Sequence, residues 1–203
     1  MLTDGDLKTL AKKMNFSLEG CYFKDKLPKK LKYNTGYIIN LEDSINVEGN
    51  SNEGSHWTCL QVNKYKDGTI EPIFFDPYSA PPSESIKAFV KDNCGKYLPY
   101  TNRDIQSIMN NACGWFVCAF LHYINAWENR TKDLYHDVNT FMSYFDDLNV
   151  SVDFKKNEWI LHHFFMDKDP TKRNEIDVFK SIQSENEGNR PDMMKIPIDI
   201  KQL

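Results

Sequence analysis

The chain has 203 residues, of which 40% are hydrophobic and 13% aromatic, and this length and composition predict one domain with a substantial core. Its 29 acidic and 25 basic residues give a formal charge of -4, whereas domains that bind nucleic acid are usually strongly basic. No stretch approaches the roughly 20 apolar residues of a membrane span, and residues 3–14 lack the pattern of a secretion signal, so we expect neither membrane insertion nor secretion. The 5 cysteines, an odd number without a CxxC pair, are typical of reduced thiols in a cytosol-like compartment.

Two elements are predicted before the first long polar loop. Residues 2–14 carry apolar side chains at helical spacing after an acidic start, which predicts an amphipathic helix. The stretch 16–32 is rich in aromatic, lysine and turn residues, and no element is predicted there. Residues 36–41 predict a short buried strand, and the polar loop 42–55 then leads to His56.

Two runs of β-branched, aromatic and apolar residues, 55–65 and 70–76, predict an antiparallel hairpin. The connection between them decides whether His56 and Asp76, at the outer ends of the strands, share a face of the sheet. A tight two-residue turn would put them on opposite faces. A three-residue loop with Gly68 in the left-handed conformation puts them one diagonal step apart, about 7–8 Å, which an imidazole and a carboxylate can bridge. We predict the three-residue loop.

The remainder of the domain is predicted to be mainly helical. The predicted helices are 85–91, 112–126, 138–148 and 158–165. The second of them is the least polar segment of the chain, and its apolar character around the whole helix predicts burial on several sides. We divide the chain into a single domain, 1–183, and a polar tail, 184–203, whose last residues are a candidate for docking on the domain.

Cys113 begins the apolar helix and is the candidate nucleophile. A thiol attacks a carbonyl carbon well only as a thiolate, and a helix N-terminus or a neighbouring imidazolium favours that form. Asn110 and Asn111 are candidate N-caps, and Gly114 would let a substrate backbone approach closely. The competing interpretation is a small buried thiol in a core helix, which suits Cys118 better.

Three further residues complete a candidate catalytic set. His56 is the candidate base, and Asp76 would accept a hydrogen bond from one ring nitrogen and leave the other facing Cys113. Gln106 lies in a loop that returns to the helix start, where its amide could donate to an oxyanion together with the Cys113 N–H. Taken singly, Asp76 is also explained as a turn residue before Pro77, and Gln106 as a solvated loop side chain.

The order of these residues and their neighbours resembles the maturation cysteine proteases of adenoviruses and their relatives in virophages and large DNA viruses. The matching segments are 54–57, 75–78, Gln106 and 111–122, within a similarity that extends over most of 1–165. The resemblance implies an α+β fold of the papain-like type, with a central mixed or antiparallel sheet and the nucleophile on a buried central helix. It implies that Cys113 is the nucleophile and His56 the base. It further implies that Asp76 orients His56 and that Gln106 donates a hydrogen bond to the oxyanion. The adenovirus enzymes have glutamate in place of Asp76, and relatives have aspartate.

The implied activity is that of a cysteine endopeptidase that cleaves viral capsid or polyprotein precursors during virion maturation. Its sites would have glycine or another small residue before the scissile bond. Trp57 would narrow the approach to that bond, and its alternative interpretation is a core aromatic residue. The chemistry requires no cofactor and no metal. We expect a monomer that acts in the virion and in the infected cell's cytoplasm or virus factory, with viral structural precursors as substrates.

The adenovirus enzymes are activated by a viral peptide, joined through a disulfide, and by DNA. The acidic balance of this chain argues against DNA as a cofactor, whereas an activating peptide stays open. Cys94 lies near the position of the peptide-linking cysteine and is the candidate for such a disulfide, with an ordinary free thiol as the alternative. The apolar patch 193–200 in the tail is a candidate built-in substitute for the peptide.

Three other interpretations stay open. A deconjugating protease for ubiquitin-like modifiers would have the same fold and a similar catalytic arrangement. A zinc-binding module would use Cys113, Cys118 and His122, although their spacing does not place both thiols on one helix face. The pair His162 and His163 is the other zinc candidate. A catalytically inactive scaffold would have no need of four intact site residues.

Overall fold

The periodic segments of the chain form helices and strands in a computed structural model, which describes residues 2–108, 111–125, 133–149 and 154–166. In chain order these are α1 (Asp4–Lys13), β1 (Leu18–Phe23), β2 (Thr35–Asn40), β3 (Trp57–Lys64), β4 (Ile70–Phe75), α2 (Glu84–Cys94), α3 (Cys113–Asn125), α4 (Leu134–Ser143) and α5 (Phe154–Met166). The α+β class predicted from the sequence is confirmed. The predicted tail, 184–203, lies outside the described residues.

The described strands form one mixed sheet of four strands in the order β1-β2-β3-β4. β1 runs parallel to β2, and β3 is antiparallel to both of its neighbours. β1 lies in the aromatic stretch 16–32, for which the sequence predicts no element, so sequence analysis missed this strand. Every residue of β1 is half-buried, and the register shifts between Leu18 and Gly20. The segment therefore lacks the alternation of buried and exposed residues that marks a strand.

The hairpin of β3 and β4 has the three-residue loop that the sequence predicts. The Tyr65 N–H donates to Thr69 O at 2.9 Å, and Gly68 is left-handed, with φ of 89°. The paired strands continue this register to their far end. Extended by one residue, the register places Asp76 one diagonal step from His56, as predicted.

Helices cover both faces of the sheet. Alternate residues of β2, β3 and β4 pack on one face with α1, α3, α4 and α5, and on the other face with α2. Most residues of α3 are buried, as predicted from the apolar side chains found all around this helix. Phe120 of α3 stacks on Phe75 of β4 with ring centroids 4.3 Å apart, and burial of one such ring contributes about 1.5–3 kcal/mol. These contacts hold α3 against the strand that ends next to Asp76.

The predicted helices differ from the structure mainly at their ends. α1, α2, α3 and α5 overlap the predicted segments, with α2 extending further, to Cys94, and α5 beginning earlier, at Phe154. α4 begins at Leu134, before the predicted start of 138–148, because the Asp133 side chain caps it by accepting the His136 N–H at 3.0 Å. None of the described helices has the length and apolar character needed to cross a bilayer.

Candidate active site

His56 and Asp76 meet at the open end of the hairpin. His56 immediately precedes β3 and Asp76 immediately follows β4, and His56 Nε2 lies 2.8 Å from Asp76 Oδ1. The carboxylate side chain is fully buried, and the imidazole is 14% exposed. With Nε2 donating to the carboxylate, the neutral ring has Nδ1 as its proton acceptor.

Asp76 is at the same time the turn residue that ends β4. Its Oδ1 accepts a second hydrogen bond, from the Tyr78 N–H at 2.8 Å, and its carbonyl accepts from the Ser79 N–H at 2.9 Å. The turn thereby fixes the carboxylate that contacts the imidazole. The two interpretations of Asp76, as a turn residue and as the partner of His56, describe one geometry.

Cys113 is the first residue of α3 and is buried. The helix begins with a hydrogen bond from the Phe116 N–H to Ala112 O at 3.0 Å, so Ala112 occupies the N-cap position. The predicted cap Asn111 therefore lies before the cap position, and Asn110 lies outside the described residues. The thiol still belongs to the first turn, where the helix dipole amounts to roughly half a positive charge and stabilises an anion.

The imidazole of His56 lies in surroundings that favour its protonated form. Burial alone would lower the pKa of His56, but its contacts with Asp76 and Cys113 outweigh burial and raise the pKa to about 9. The Nδ1 atom is buried and makes no hydrogen bond of standard geometry with a described residue. The thiol of Cys113 nevertheless lies close enough to the ring to raise the pKa of His56. Catalytic hydrogen bonds of this kind often tighten only when substrate binds.

Gln106 is attached to the same turn as Asp76. The Gln106 side chain is buried, so its interpretation as a solvated loop residue is wrong. Its backbone N–H donates to Pro77 O at 3.1 Å, and its side-chain Nε2 donates to the Tyr78 hydroxyl at 2.9 Å. The loop before α3 is therefore held next to the hairpin end that carries His56.

Tyr78 is a site residue that sequence analysis did not single out. Its ring stacks on the His56 imidazole with centroids 4.5 Å apart and planes inclined by 23°. Burial raises the pKa of the Tyr78 hydroxyl, and the neighbouring Cys113 and Asp76 raise it further. In the sequence, Tyr78 stands out only by following the Asp-Pro pair. Its contact with His56 depends on the geometry of the turn.

Trp57 and Gly114 both lie against the N-terminal segment of the chain, where each is close to Leu2. Trp57 is 5% exposed, and its indole N–H donates to Leu2 O at 2.8 Å. A Cβ atom added to Gly114 would lie 3.2 Å from side-chain atoms of both Leu2 and Leu7. These contacts favour the core interpretation of Trp57, and they give Gly114 a packing role between α1 and α3.

The other cysteines have surroundings that differ from those of Cys113. Burial raises the pKa of Cys21 to about 12, and burial also raises the pKa values of Cys59 and Cys118, which disfavours a thiolate at all three positions. Cys94, at the end of α2, is a half-buried free thiol that donates to Val90 O at 3.1 Å.

The zinc candidates do not converge in the part of the chain that the structure describes. There, no group of three or more His, Cys, Asp or Glu side chains is arranged to hold a metal ion. His122 instead hydrogen-bonds through Nδ1 to Met14 O at 2.8 Å. The side chain of His163 lies outside the described part of the chain.

Comparison with known proteins gives a distant similarity to viral proteases. The chain is 27% identical over 101 residues to the protein named Protease of Human adenovirus A serotype 12, and 28% identical over 101 residues to that of Human adenovirus D serotype 9. Each match covers 44% of this chain and 48% of the adenovirus protein, so the chain spans about half the length of the curated relatives it matches. No family model matches the chain. The similarity relates the chain to adenovirus proteases at low identity.

Proposed function

We propose that this protein is a cysteine endopeptidase of the adenovirus-protease type, with Cys113 as nucleophile, His56 as general base and Asp76 as orienting acid. The observation that carries the proposal is the 2.8 Å contact between His56 Nε2 and Asp76 Oδ1, beside a cysteine that helps raise the pKa of His56 to about 9. A thiol protease needs a thiol, an imidazole and a group that orients the imidazole, and an imidazolium stabilises the neighbouring thiolate. The similarity to adenovirus proteases supports the same activity.

In the proposed mechanism, the Cys113 thiol transfers its proton to Nδ1 of His56, and the thiolate attacks the carbonyl carbon of the scissile peptide bond. The carbonyl oxygen becomes negatively charged and accepts hydrogen bonds from the Cys113 N–H and Gln106 Nε2. His56 then gives the proton to the leaving amine, the C–N bond breaks, and the acyl group remains on Cys113 as a thioester.

Water completes the proposed cycle. His56 Nδ1 takes a proton from the water molecule, whose oxygen attacks the thioester carbonyl. The C–S bond then breaks, releasing the carboxylic acid product and returning the proton to Cys113. Asp76 holds the ring through Nε2 during both steps and balances the charge of the imidazolium, so the proposed chemistry draws on protein groups alone.

The proposed fold is papain-like, with the nucleophile on a buried central helix and the base on the sheet. The burial of α3 and its packing on β3 and β4 support this assignment. As substrates we propose viral capsid or polyprotein precursors, cleaved after glycine or another small residue during maturation in the virion or the infected cell. An activating peptide joined through Cys94 belongs to the same proposal.

The test compares three proteins on one peptide panel under reducing conditions. The wild type, Cys113→Ala and Cys94→Ala are each incubated with peptides that contain Gly-Gly and Gly-Xaa-Gly sites, and the products are identified by mass spectrometry. Because no disulfide through Cys94 forms under reducing conditions, we expect the wild type and Cys94→Ala to cut the same bonds and Cys113→Ala to cut none. Cleavage by Cys113→Ala would place the nucleophile elsewhere. If the wild type releases ubiquitin-like modifiers from conjugates and leaves the peptides intact, the protein is a deconjugating protease.

A further inference from the structure

The Tyr78 side chain connects the two halves of the candidate site, the imidazole and the side chain proposed for the oxyanion hole. We infer that Tyr78 is a positioning residue, whose hydroxyl orients the Gln106 amide toward the substrate oxygen while its ring holds the His56 imidazole in place. This inference rests on the proposed function, because it concerns the oxyanion hole of that reaction.

The Gln106 side chain is fixed by Tyr78 on one side and by the backbone on the other. Gln106 Nε2 donates to the Tyr78 hydroxyl at 2.9 Å, and the side chain of Gln106 is buried. The backbone N–H groups of Ile105 and Gln106 both donate to Pro77 O, at 2.9 and 3.1 Å. The residue before Tyr78 thus anchors the main chain of the loop, and Tyr78 itself anchors the amide.

This arrangement determines where the amide of Gln106 can point. A side-chain amide is planar, and its nitrogen carries two hydrogens at a fixed angle. The hydrogen bond to Tyr78 and the main-chain bonds to Pro77 O together restrict the orientation of the group, and with it the direction of its second N–H. Donors that stabilise an oxyanion act well only when they are oriented before the charge develops. The hydroxyl of Tyr78 supplies that orientation.

The ring of Tyr78 contacts the proposed base, His56. It stacks on His56 at 4.5 Å between centroids, and the Tyr78 N–H donates to the carboxylate of Asp76 that binds the imidazole. The hydroxyl also lies close enough to Cys113 and Asp76 for both to raise the pKa of Tyr78, after the larger effect of burial. A phenylalanine would provide the stacking equally well, so the part of the site that depends on tyrosine is the hydrogen bond to Gln106.

The experiment separates the hydroxyl from the ring. Peptide hydrolysis by the wild type, Tyr78→Phe, Gln106→Ala and the double variant gives kcat and KM, and alkylation of Cys113 by iodoacetamide across a pH series reports the thiol and imidazole alone. Alkylation builds no oxyanion, so it is insensitive to Gln106. Tyr135→Phe is the matched control, because the Tyr135 hydroxyl also makes a hydrogen bond, to Pro72 O at 3.2 Å, away from the candidate site.

We expect Tyr78→Phe to lower kcat about 3- to 10-fold, the value of one hydrogen bond, with KM and the alkylation profile unchanged. Gln106→Ala should lower kcat about 100-fold, and adding Tyr78→Phe should cost nothing more, since the hydroxyl acts through the amide. Tyr135→Phe should leave kcat as in the wild type.

Two results overturn the inference alone: an active Tyr78→Phe variant with wild-type kcat, or a Tyr78→Phe effect of the same size in the Gln106→Ala background. A wild type that cuts no peptide even with virion extract added as a source of an activating peptide would overturn the proposed function, and the inference with it. The two failures are distinguished by the wild-type assay.

Discussion

The imidazole of His56 and the carboxylate of Asp76 are 20 positions apart in the sequence and 2.8 Å apart in space. Both residues lie just beyond the paired part of a hairpin, where the Tyr78 N–H also reaches Asp76. Their contact depends on the loop at the opposite end, because a one-residue change of register would move one of the two side chains to the other face of the sheet.

Asp76→Asn should lower kcat/KM by about 100- to 10,000-fold, as losses of the orienting carboxylate do in other triads. Asparagine keeps the shape of the side chain but removes its charge. Because the hydrogen bond and the charge of Asp76 raise the pKa of His56, that pKa should fall from about 9 in the variant. The pH dependence of Cys113 alkylation measures the shift.

The matched control for this change is Asp67→Asn, at the other end of the same hairpin. Asp67 Oδ1 accepts the Thr69 N–H at 2.9 Å in the exposed loop, a bond that asparagine retains. Asp67→Asn should leave kcat/KM and the alkylation profile as in the wild type. An Asp76→Asn variant with an unshifted profile would contradict the assigned effect of the carboxylate on His56.

The raised pKa of His56 should make the stability of the protein depend on pH. An unfolded histidine titrates near 6.5 and folded His56 near 9, so the folded state binds this proton more tightly. The stabilisation is fully present below pH 6.5 and is lost as the pH rises through 9. Urea denaturation from about pH 6 to about pH 10, a range that spans both pKa values, measures the loss.

Two histidine variants test the origin of this pH dependence. His56→Asn should remove most of the decline in unfolding free energy between about pH 6 and about pH 8, because the buried cysteines, whose pKa values are raised, contribute to the decline only above that range. The exposed His136, on α4, serves as the comparison, and His136→Asn should keep the wild-type decline. Equal declines in all three proteins would show that other groups cause it.

The sequence predicts those parts of the fold that have a local pattern. α1 has apolar residues at helical spacing, and the structure adds a capping box between Thr3 and Asp6. The hairpin register depends on Gly68, whose positive φ the three-residue loop requires. Such features are encoded within a few residues, and the predictions for them are confirmed.

Contacts between distant segments could not be predicted in this way. The parallel pairing of β1 with β2 and the hydrogen bond from Trp57 to Leu2, 55 positions away, depend on how the whole chain packs. The same holds for the Gln106 amide and the Tyr78 hydroxyl, 28 positions apart. At the candidate site, the sequence therefore predicted the contact of His56 with Asp76 through strand register and did not predict the involvement of Tyr78.

Gly68→Ala should lower the free energy of unfolding by about 1–2 kcal/mol, because an L-residue with a Cβ is strained at the left-handed φ of 89°. The loop keeps its length and the strands their register, so kcat/KM should not change. Gly5→Ala is the matched control, since Gly5 lies inside α1 and the nearest atom to an added Cβ is 3.7 Å away. It should raise the unfolding free energy by up to about 1 kcal/mol. Changes of the same sign in both variants would contradict the strain at Gly68.

Gly114→Ala distinguishes a packing role of Gly114 from a substrate contact. The added Cβ would lie 3.2 Å from side-chain atoms of Leu2 and Leu7, and overpacking of this kind costs about 1–3 kcal/mol, against about 1 kcal/mol gained in helix propensity. We expect a net loss of about 1 kcal/mol in unfolding free energy, with KM unchanged. Adding Leu2→Ala removes one crowded neighbour, so the double variant should lose less stability than the two single losses combined. The opposite result would be a raised KM in Gly114→Ala and in the double variant, together with losses of unfolding free energy that simply add. That result would show that Gly114 contacts the substrate.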